Sequence, residues 1–245
     1  MRDVAVMPEA LPARPDSYEL KVGHVHVWRV PLKSRNIDAG GMRAMLSEGE
    51  RERAGRFAFE QERARFIACR ATLRMLLGRY AGTAPERIIF RYEPGGKPAL
   101  TGSGGWQFNV SHSRELAAIA VSRHDAVGVD IERIDAGFPR DDVAADVLAP
   151  DELEDLRSLP EERQAAYFFQ LWTMKEALLK AAGTGLSIDP VAIRIRLEDG
   201  APTIVSAPAE CAGASLHGLS LDEGYAGAVA VLCAGAHVTR YQWSP

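Results

Sequence analysis

In the segment VGVDIE (127–132), Asp130 and Glu132 stand two residues apart. On an extended strand that spacing turns both carboxylates to one face and leaves Val127, Val129 and Ile131 for the other. Neighbouring acids repel unless a positive charge lies between them, and a hard divalent cation ligated by oxygen is the usual remedy. A solvated strand end with salt bridges accounts for the pair equally well. A second segment, WTMKEALLK (172–180), places Trp172, Glu176 and Lys180 at steps of four, along one face of a helix. The plain reading is an exposed Glu to Lys pair worth about 0.2 to 0.5 kcal/mol. Trp172 argues against it, because a large aromatic on the same stripe does not favour a fully solvated face. A third pair of segments is GGKPAL (95–100) and FNVSHS (108–113). Two glycines let the backbone approach a ligand, Lys97 adds positive charge, and Ser111 and His112 at a strand end can donate hydrogen bonds to an anion. Taken singly, Lys97 reads as a turn lysine and His112 as a structural histidine. The cluster Arg51, Arg53 and Arg56 is most simply a solvated helix face, and otherwise a phosphate clamp.

These residues need elements to bring them together. Alternation in HVHVWRVPL (24–32) predicts a strand, and Ser47 with Glu50 reads as a capping box opening a short helix through Arg56. From Glu62 to Tyr80, Phe66, Cys69, Leu73, Leu76, Leu77 and Tyr80 share one face, with Arg63, Arg70 and Arg74 off that stripe. Strands are expected at 88–90, 106–111, 116–122 and 127–132, broken by turns such as EPGGKP. The second half has an acidic helix near Asp151 and a long helix from 161 to 182 that stops at Gly183. Strands follow at 191–197, across an Asp199-Gly200 turn to TIVS, and at SLHGLS and YAGAVAVL. The stretches 108–122 and 217–232 both read as strand, acidic turn and small-residue apolar strand, which is what a duplicated α+β unit would leave. Chance similarity is the rival. A duplication would give two halves with a cleft between them, near residues 123–127. The corresponding division is a lead-in over 1–17, one half over 18–124 and a second over 125–245.

Composition limits the options. With 47% hydrophobic and 25% charged residues the chain is of the globular kind, and 33 acids against 29 bases give a net charge of -4, no general attraction to nucleic acid. Cys69, Cys211 and Cys233 have neither paired nor metal-ligand spacing, the pattern of free thiols in a reducing cytoplasm. The N-terminal stretch lacks a continuous apolar region, and no later stretch has the length and apolarity of a membrane span.

In order, GKP, FNxSH, VGVDIE and WTMKEALLK, with GTGLS (183–187) after the helix, resemble the Sfp-type 4′-phosphopantetheinyl transferases, from about His24 to Val231. The resemblance implies a pseudo-twofold α+β fold of two similar halves. It implies transfer of the 4′-phosphopantetheine of coenzyme A to a serine of an apo acyl or peptidyl carrier protein, releasing adenosine 3′,5′-bisphosphate. By similarity, Asp130, Glu132 and Glu176 would hold Mg²⁺, and Lys97, Ser111, His112, Asp130 and Lys180 would contact coenzyme A. Arg53 matches a position on the 3′-phosphate side, with Arg65 as a neighbour. Glu176 and Lys180 would carry the proton and charge chemistry. A monomer is expected, because duplicated halves already supply a cleft. Two rivals remain: a relative that binds coenzyme A or a carrier without turnover, and a metal-dependent nuclease, which the acidic net charge disfavours.

Overall fold

The computed structural model describes residues 11–32, 39–92, 96–102, 104–138, 140–198 and 200–244. Residues 1–10 of the lead-in, Glu93 to Gly95 of the EPGGKP turn and Asp199 lie outside them. The first half holds β1 (His24–Pro31), α1 (Ala39–Ala44), α2 (Glu48–Gly55), α3 (Glu60–Ala81), β2 (Phe90–Tyr92), β3 (Pro98–Leu100), β4 (Trp106–Ser113) and β5 (Leu116–Arg123). The second holds β6 (Val127–Arg133), α4 (Arg140–Val147), α5 (Pro150–Ser158), α6 (Glu161–Ala182), β7 (Arg194–Glu198), β8 (Ala201–Ser206), β9 (Ser215–Gly218), β10 (Tyr225–Val231) and β11 (His237–Gln242).

The two halves repeat one α+β plan. In each, a strand leads to a 22-residue helix, then to a small hairpin, then to a second hairpin that pairs with the first strand. The strand orders correspond, β1-β5-β4 in one sheet and β6-β10-β9 in the other, with β2-β3 and β7-β8 as the small hairpins. Both long helices end on a left-handed glycine, Gly82 (φ 63°) and Gly183 (φ 71°), a backbone state in which only glycine escapes the Cβ penalty. β11 departs from the plan. It returns to the first sheet, parallel to β1, and carries Tyr241 and Trp243 into the core around Trp28, Leu76 and Leu77. We propose the boundary at 124/125 as the division of the chain, with β11 added back across it.

Among the described residues, three cores hold this together. One lies between α3 and the first sheet, one between α6 and the second sheet. The third joins the inner faces of the two sheets: Val25, Val27, Ala118 and Ala120 meet Val127, Val129, Ile131, Val229 and Val231, all fully buried. The apolar face of VGVDIE therefore closes the molecule while its acidic face turns away.

Three expected features differ in detail, and four elements were not expected. The strand expected at 88–90 begins at Phe90, because Ile88 closes a 3₁₀ turn with Pro85. The strand expected at 191–197 begins at Arg194, because Pro190 and the Asp189 side chain, which accepts from the amide of Val191, hold 190–192 in another such turn. The helices α1 and α4 and the strands β3 and β11 were not expected. Finally, Arg74 is 2% exposed rather than off the buried face. Its guanidinium donates to Glu50 Oε2 (2.7 Å) and to the carbonyls of Pro85 (3.0 Å) and Ile88 (2.9 Å), so the charge is buried with partners. Glu50 also completes the expected capping box on Ser47.

Candidate active site

The site begins with a missing side chain. At Gly128 an added Cβ would stand 2.1 Å from the carbonyl oxygen of Ala177 and 2.3 Å from the amide nitrogen of Ala181. Only glycine lets the backbone of α6 lie on β6 this closely. The approach brings Glu176 and Lys180, one turn apart on α6, over Asp130 and Glu132, the outward residues of β6.

A second set of contacts fixes β6 from its other side. β4 and β6 are edge strands of different sheets and run side by side in the same direction. Their junction is made by side chains: the amides of Val129, Ile131 and Arg133 donate to Asn109 Oδ1 (2.8 Å), Ser111 Oγ (3.4 Å) and Ser113 Oγ (3.1 Å). Alternate residues of one edge thus satisfy the amides that the other edge would leave unpaired.

Asp130, 3% exposed, anchors the charges. Its Oδ1 accepts from Lys180 Nζ (2.5 Å) and from Ser111 Oγ (2.7 Å), while its Oδ2 is buried with no partner. Glu132 and Glu176 are half-buried beside it. Burial, before any other cause, raises both carboxyls above the ordinary glutamate range. For Glu132 the Ser113 hydroxyl and Lys180 act the other way while Asp130 and Glu176 raise it further; for Glu176, Lys180 opposes and Asp130 adds. His112 keeps an exposed edge, yet its imidazole is pulled below its usual value, first by lost hydration and then by the positive charges of Lys180, Arg53 and Arg65, against its own backbone hydrogen bond.

These groups line a cavity of about 380 Å³, with Trp172 as its apolar wall. It continues in two directions. Through His112 it meets a cavity of about 250 Å³ walled by Arg53, Phe66, Arg70 and Tyr92. Through Glu132 and Trp172 it meets one of about 720 Å³ walled by Arg65, Arg133, Phe138, Phe168 and Phe169. The row suits an elongated ligand, with arginines on both flanking cavities to meet anionic groups.

The structure brings together Ser111, His112, Asp130, Glu132, Glu176 and Lys180, six of the residues expected at one site, and places Arg53 and Arg65 on the flanking cavities. Arg53 lies over the Phe66 ring, 5.3 Å from its centroid, whereas Arg51 turns back to donate to the carbonyl of Leu46 and Arg56 is exposed on the helix end. Lys97 stands apart. Its Nζ donates to the carbonyls of Val127 (3.1 Å) and Lys180 (2.6 Å), beside a separate cavity of about 160 Å³ near Ala126. Of these cavities the linker at 123–127 borders the smaller one, through Ala126, and the main cleft opens farther along β6.

Residues of these types suit a hard cation: three carboxylates face one cavity, and a buried Asp130 oxygen lacks a partner. Among the described residues, though, no three acid, histidine or cysteine side chains stand close enough to form a ready-made cage. Ligand oxygens and water would have to complete the coordination shell, as is usual for Mg²⁺.

Sequence reasoning did not single out Gly128, Ser113 or Lys175. Gly128 was visible as a glycine within a strand pattern, a sign of close backbone approach. Ser113 repeats Ser111 at the strand period. Lys175 gave no signal: it is 1% exposed, paired with Glu152 (2.6 Å), and donates to the carbonyls of Val147 (2.8 Å) and Pro190 (3.1 Å), tying α5 and α6 together.

Two α+β halves with three acids and a lysine gathered along their seam define a pseudo-dimeric architecture with one polar site. Comparison with known proteins gives the family. A model described as the 4′-phosphopantetheinyl transferase superfamily matches residues 126–230, and one described as the N-terminal part of 4′-phosphopantetheinyl transferase matches residues 37–124. The chain is 40% identical over 177 residues to the 4′-phosphopantetheinyl transferase HetI of a Nostoc species, covering 71% of this chain and 75% of that protein. To the 4′-phosphopantetheinyl transferase psf-1 of Bacillus pumilus it is 35% identical over 203 residues, covering 81% and 85%. To Sfp of Bacillus subtilis it is 26% identical over 186 residues, covering 76% and 82%. Among solved structures, a holo-(acyl-carrier-protein) synthase from Bacillus anthracis in complex with CoA (3′,5′-ADP) aligns at TM-score 0.39 and 23% identity, over 45% of this chain and 96% of that one. The chain belongs to the 4′-phosphopantetheinyl transferase family and is an enzyme of the Sfp type.

Proposed function

We propose that the enzyme moves the 4′-phosphopantetheine arm of coenzyme A to a serine hydroxyl of an apo acyl or peptidyl carrier protein, releases adenosine 3′,5′-bisphosphate, depends on Mg²⁺ and works as a monomer. The observation that carries this reading is the convergence of Glu132 and Glu176 on Asp130 and its Lys180 partner, between an arginine-lined and an aromatic-lined cavity. Coenzyme A has the matching form, a phosphorylated nucleoside at one end, a pyrophosphate in the middle and a flexible arm.

Asp130, Glu132 and Glu176 are the residues that would hold Mg²⁺, which when bound offsets the pyrophosphate charge. The remaining steps belong to the chain's side chains. Glu176, with its carboxyl raised by burial, accepts the proton of the attacking serine. The Lys180 ammonium lies at the middle of the site and offsets charge on the departing bisphosphate. His112, kept neutral, donates to a phosphate oxygen, with Arg53 beyond it toward the 3′-phosphate and Arg65 on the opposite side. Lys97 reaches the ligand by giving up its hold on the Val127 and Lys180 carbonyls.

Incubation of the enzyme with coenzyme A, Mg²⁺ and a panel of apo carrier domains, read by intact mass, tests this. One 4′-phosphopantetheine added per carrier on its serine is the expected result. Carriers left unmodified across the panel would sink the proposal, and transfer undiminished by a chelator would sink its Mg²⁺ requirement.

A further inference from the structure

Ser113 ends β4 and lies against Glu132. Its hydroxyl has one proton to give and two lone pairs to offer. The amide of Arg133 can only donate, and it points at Ser113 Oγ from 3.1 Å. The hydroxyl proton is therefore free for Glu132 Oε2, 2.7 Å away. One serine thus ties a backbone position of β6 to the carboxylate beside it, and the direction of both hydrogen bonds is fixed.

The same device occurs one strand period earlier. Ser111 Oγ accepts from the amide of Ile131 (3.4 Å) and donates to Asp130 Oδ1 (2.7 Å). Each serine meets a carboxylate 19 residues on and an amide 20 residues on, so the two sets are related by a simple step along the paired edges. The environments differ. Asp130 is buried and also held by Lys180, whereas Glu132 is half-buried and feels the repulsion of two further carboxylates, Asp130 and Glu176. A glutamate side chain has rotamer freedom to move away from such neighbours. Among the described residues it is the Ser113 hydroxyl that donates to it.

We propose that Ser113 is a positioning residue for Glu132: its hydroxyl holds the carboxylate toward Asp130 and Glu176 and so sets the strength of cation binding at the seam. The inference rests on the reading of these three acids as ligands of a divalent cation. It makes the junction of the two halves and the order of the acidic site one hydrogen-bond set.

Mn²⁺ is the probe, titrated into the full-length protein and followed by electron paramagnetic resonance, with and without coenzyme A. Loss of a group that orients a ligand typically weakens metal binding about 10- to 100-fold. Ser113→Ala should show a loss of that order, a matching rise in the Mg²⁺ concentration for half-maximal transfer, and a parental rate at saturating Mg²⁺. Ser113→Thr keeps the hydroxyl and should restore binding, while Ser113→Val, of the same shape, should not. This last pair decides the matter if the alanine variant folds poorly. Equal Mn²⁺ affinity in the Thr and Val variants, or in Ser113→Ala and the parent, overturns the proposal. Glu132→Ala separates the failures: if it weakens Mn²⁺ binding and the serine variants do not, only the role of Ser113 falls. If Glu132→Ala binds Mn²⁺ like the parent, Glu132 is no ligand and both readings fall.

Discussion

Gly128 and Ala177 share a space that no side chain can enter: a Cβ on the glycine would stand 2.1 Å from the alanine's carbonyl oxygen. The contact sets the height of α6 over β6. Because the obstructing atoms are backbone, the clash is not relieved by a rotamer change, and Gly128→Ala must push the helix outward. Overpacking of this kind costs about 1 to 3 kcal/mol and occasionally more. The expected outcome is a lower melting temperature together with a loss of transfer, since Glu176 and Lys180 ride on the displaced helix. A variant that melts lower but transfers at the parental rate would show that the helix position does not govern the site.

Much of this arrangement was legible in the sequence, for a physical reason. The site acids sit on elements with strong periodic patterns, so the strand face of Asp130 and Glu132 and the helix face of Trp172, Glu176 and Lys180 followed from local geometry. The duplicated plan also showed through, because both hairpins kept their small apolar strands. What was hidden depends on contacts between distant segments. Arg74 became a buried residue because Glu50 and the carbonyls of Pro85 and Ile88 surround it, and Lys97 turned toward two carbonyls of other elements. β11 pairs with a strand more than two hundred residues earlier in the chain, and nothing local announces such a partner.

The pair Lys175 and Glu152 tests whether a buried ion pair supports the second half. Their side chains are 1% and 2% exposed, and Glu152 also accepts from the amides of Ala149 (2.7 Å) and Ile195 (2.7 Å). Burial pulls the lysine's proton affinity down, and the Glu152 carboxylate opposes that pull. Removing one partner strands the other charge, at a cost of about 3 to 5 kcal/mol. Lys175→Met should therefore shift the urea unfolding midpoint strongly downward. A shift no larger than that of an exposed substitution such as Arg196→Met would count against the pair as a structural clamp.

His26 makes the fold sensitive to acid. It is 8% exposed, hydrogen-bonded through Nδ1 to Tyr80 Oη (2.8 Å), and its imidazole is held down at about 4 by burial and then by nearby His24. Tyr80 Oη accepts from Trp28 Nε1 (2.9 Å), so its own proton is available to the neutral imidazole. Since the folded value lies below the usual 6.5, the unfolded chain takes up the proton first as pH falls. The histidine's contribution is thus complete above about pH 6.5 and lost on the way to pH 4, amounting to about 3 kcal/mol. His26→Leu should flatten the pH dependence of stability in that window. An unchanged slope between pH 6.5 and 4 would assign the acid sensitivity to other groups.

Lys180 links the electrostatics of the site to its pH profile. Burial and the Asp130 charge raise the Glu176 carboxyl, and Lys180 is the influence that lowers it. A base must be deprotonated to act, so the acid limb of kcat/KM follows Glu176. Lys180→Met removes the lowering charge and should move that limb to higher pH. It also strips Asp130 Oδ1 of its 2.5 Å partner and the departing phosphate of a cation, so the rate at the optimum should fall by one to two orders of magnitude, about 1.4 to 2.7 kcal/mol. Lys180→Arg keeps a positive charge and should leave the limb near its parental position even where its different shape slows the reaction. A limb that stays in place in Lys180→Met while the rate falls would mean that Glu176 is not the titrating base, leaving it a ligand alone.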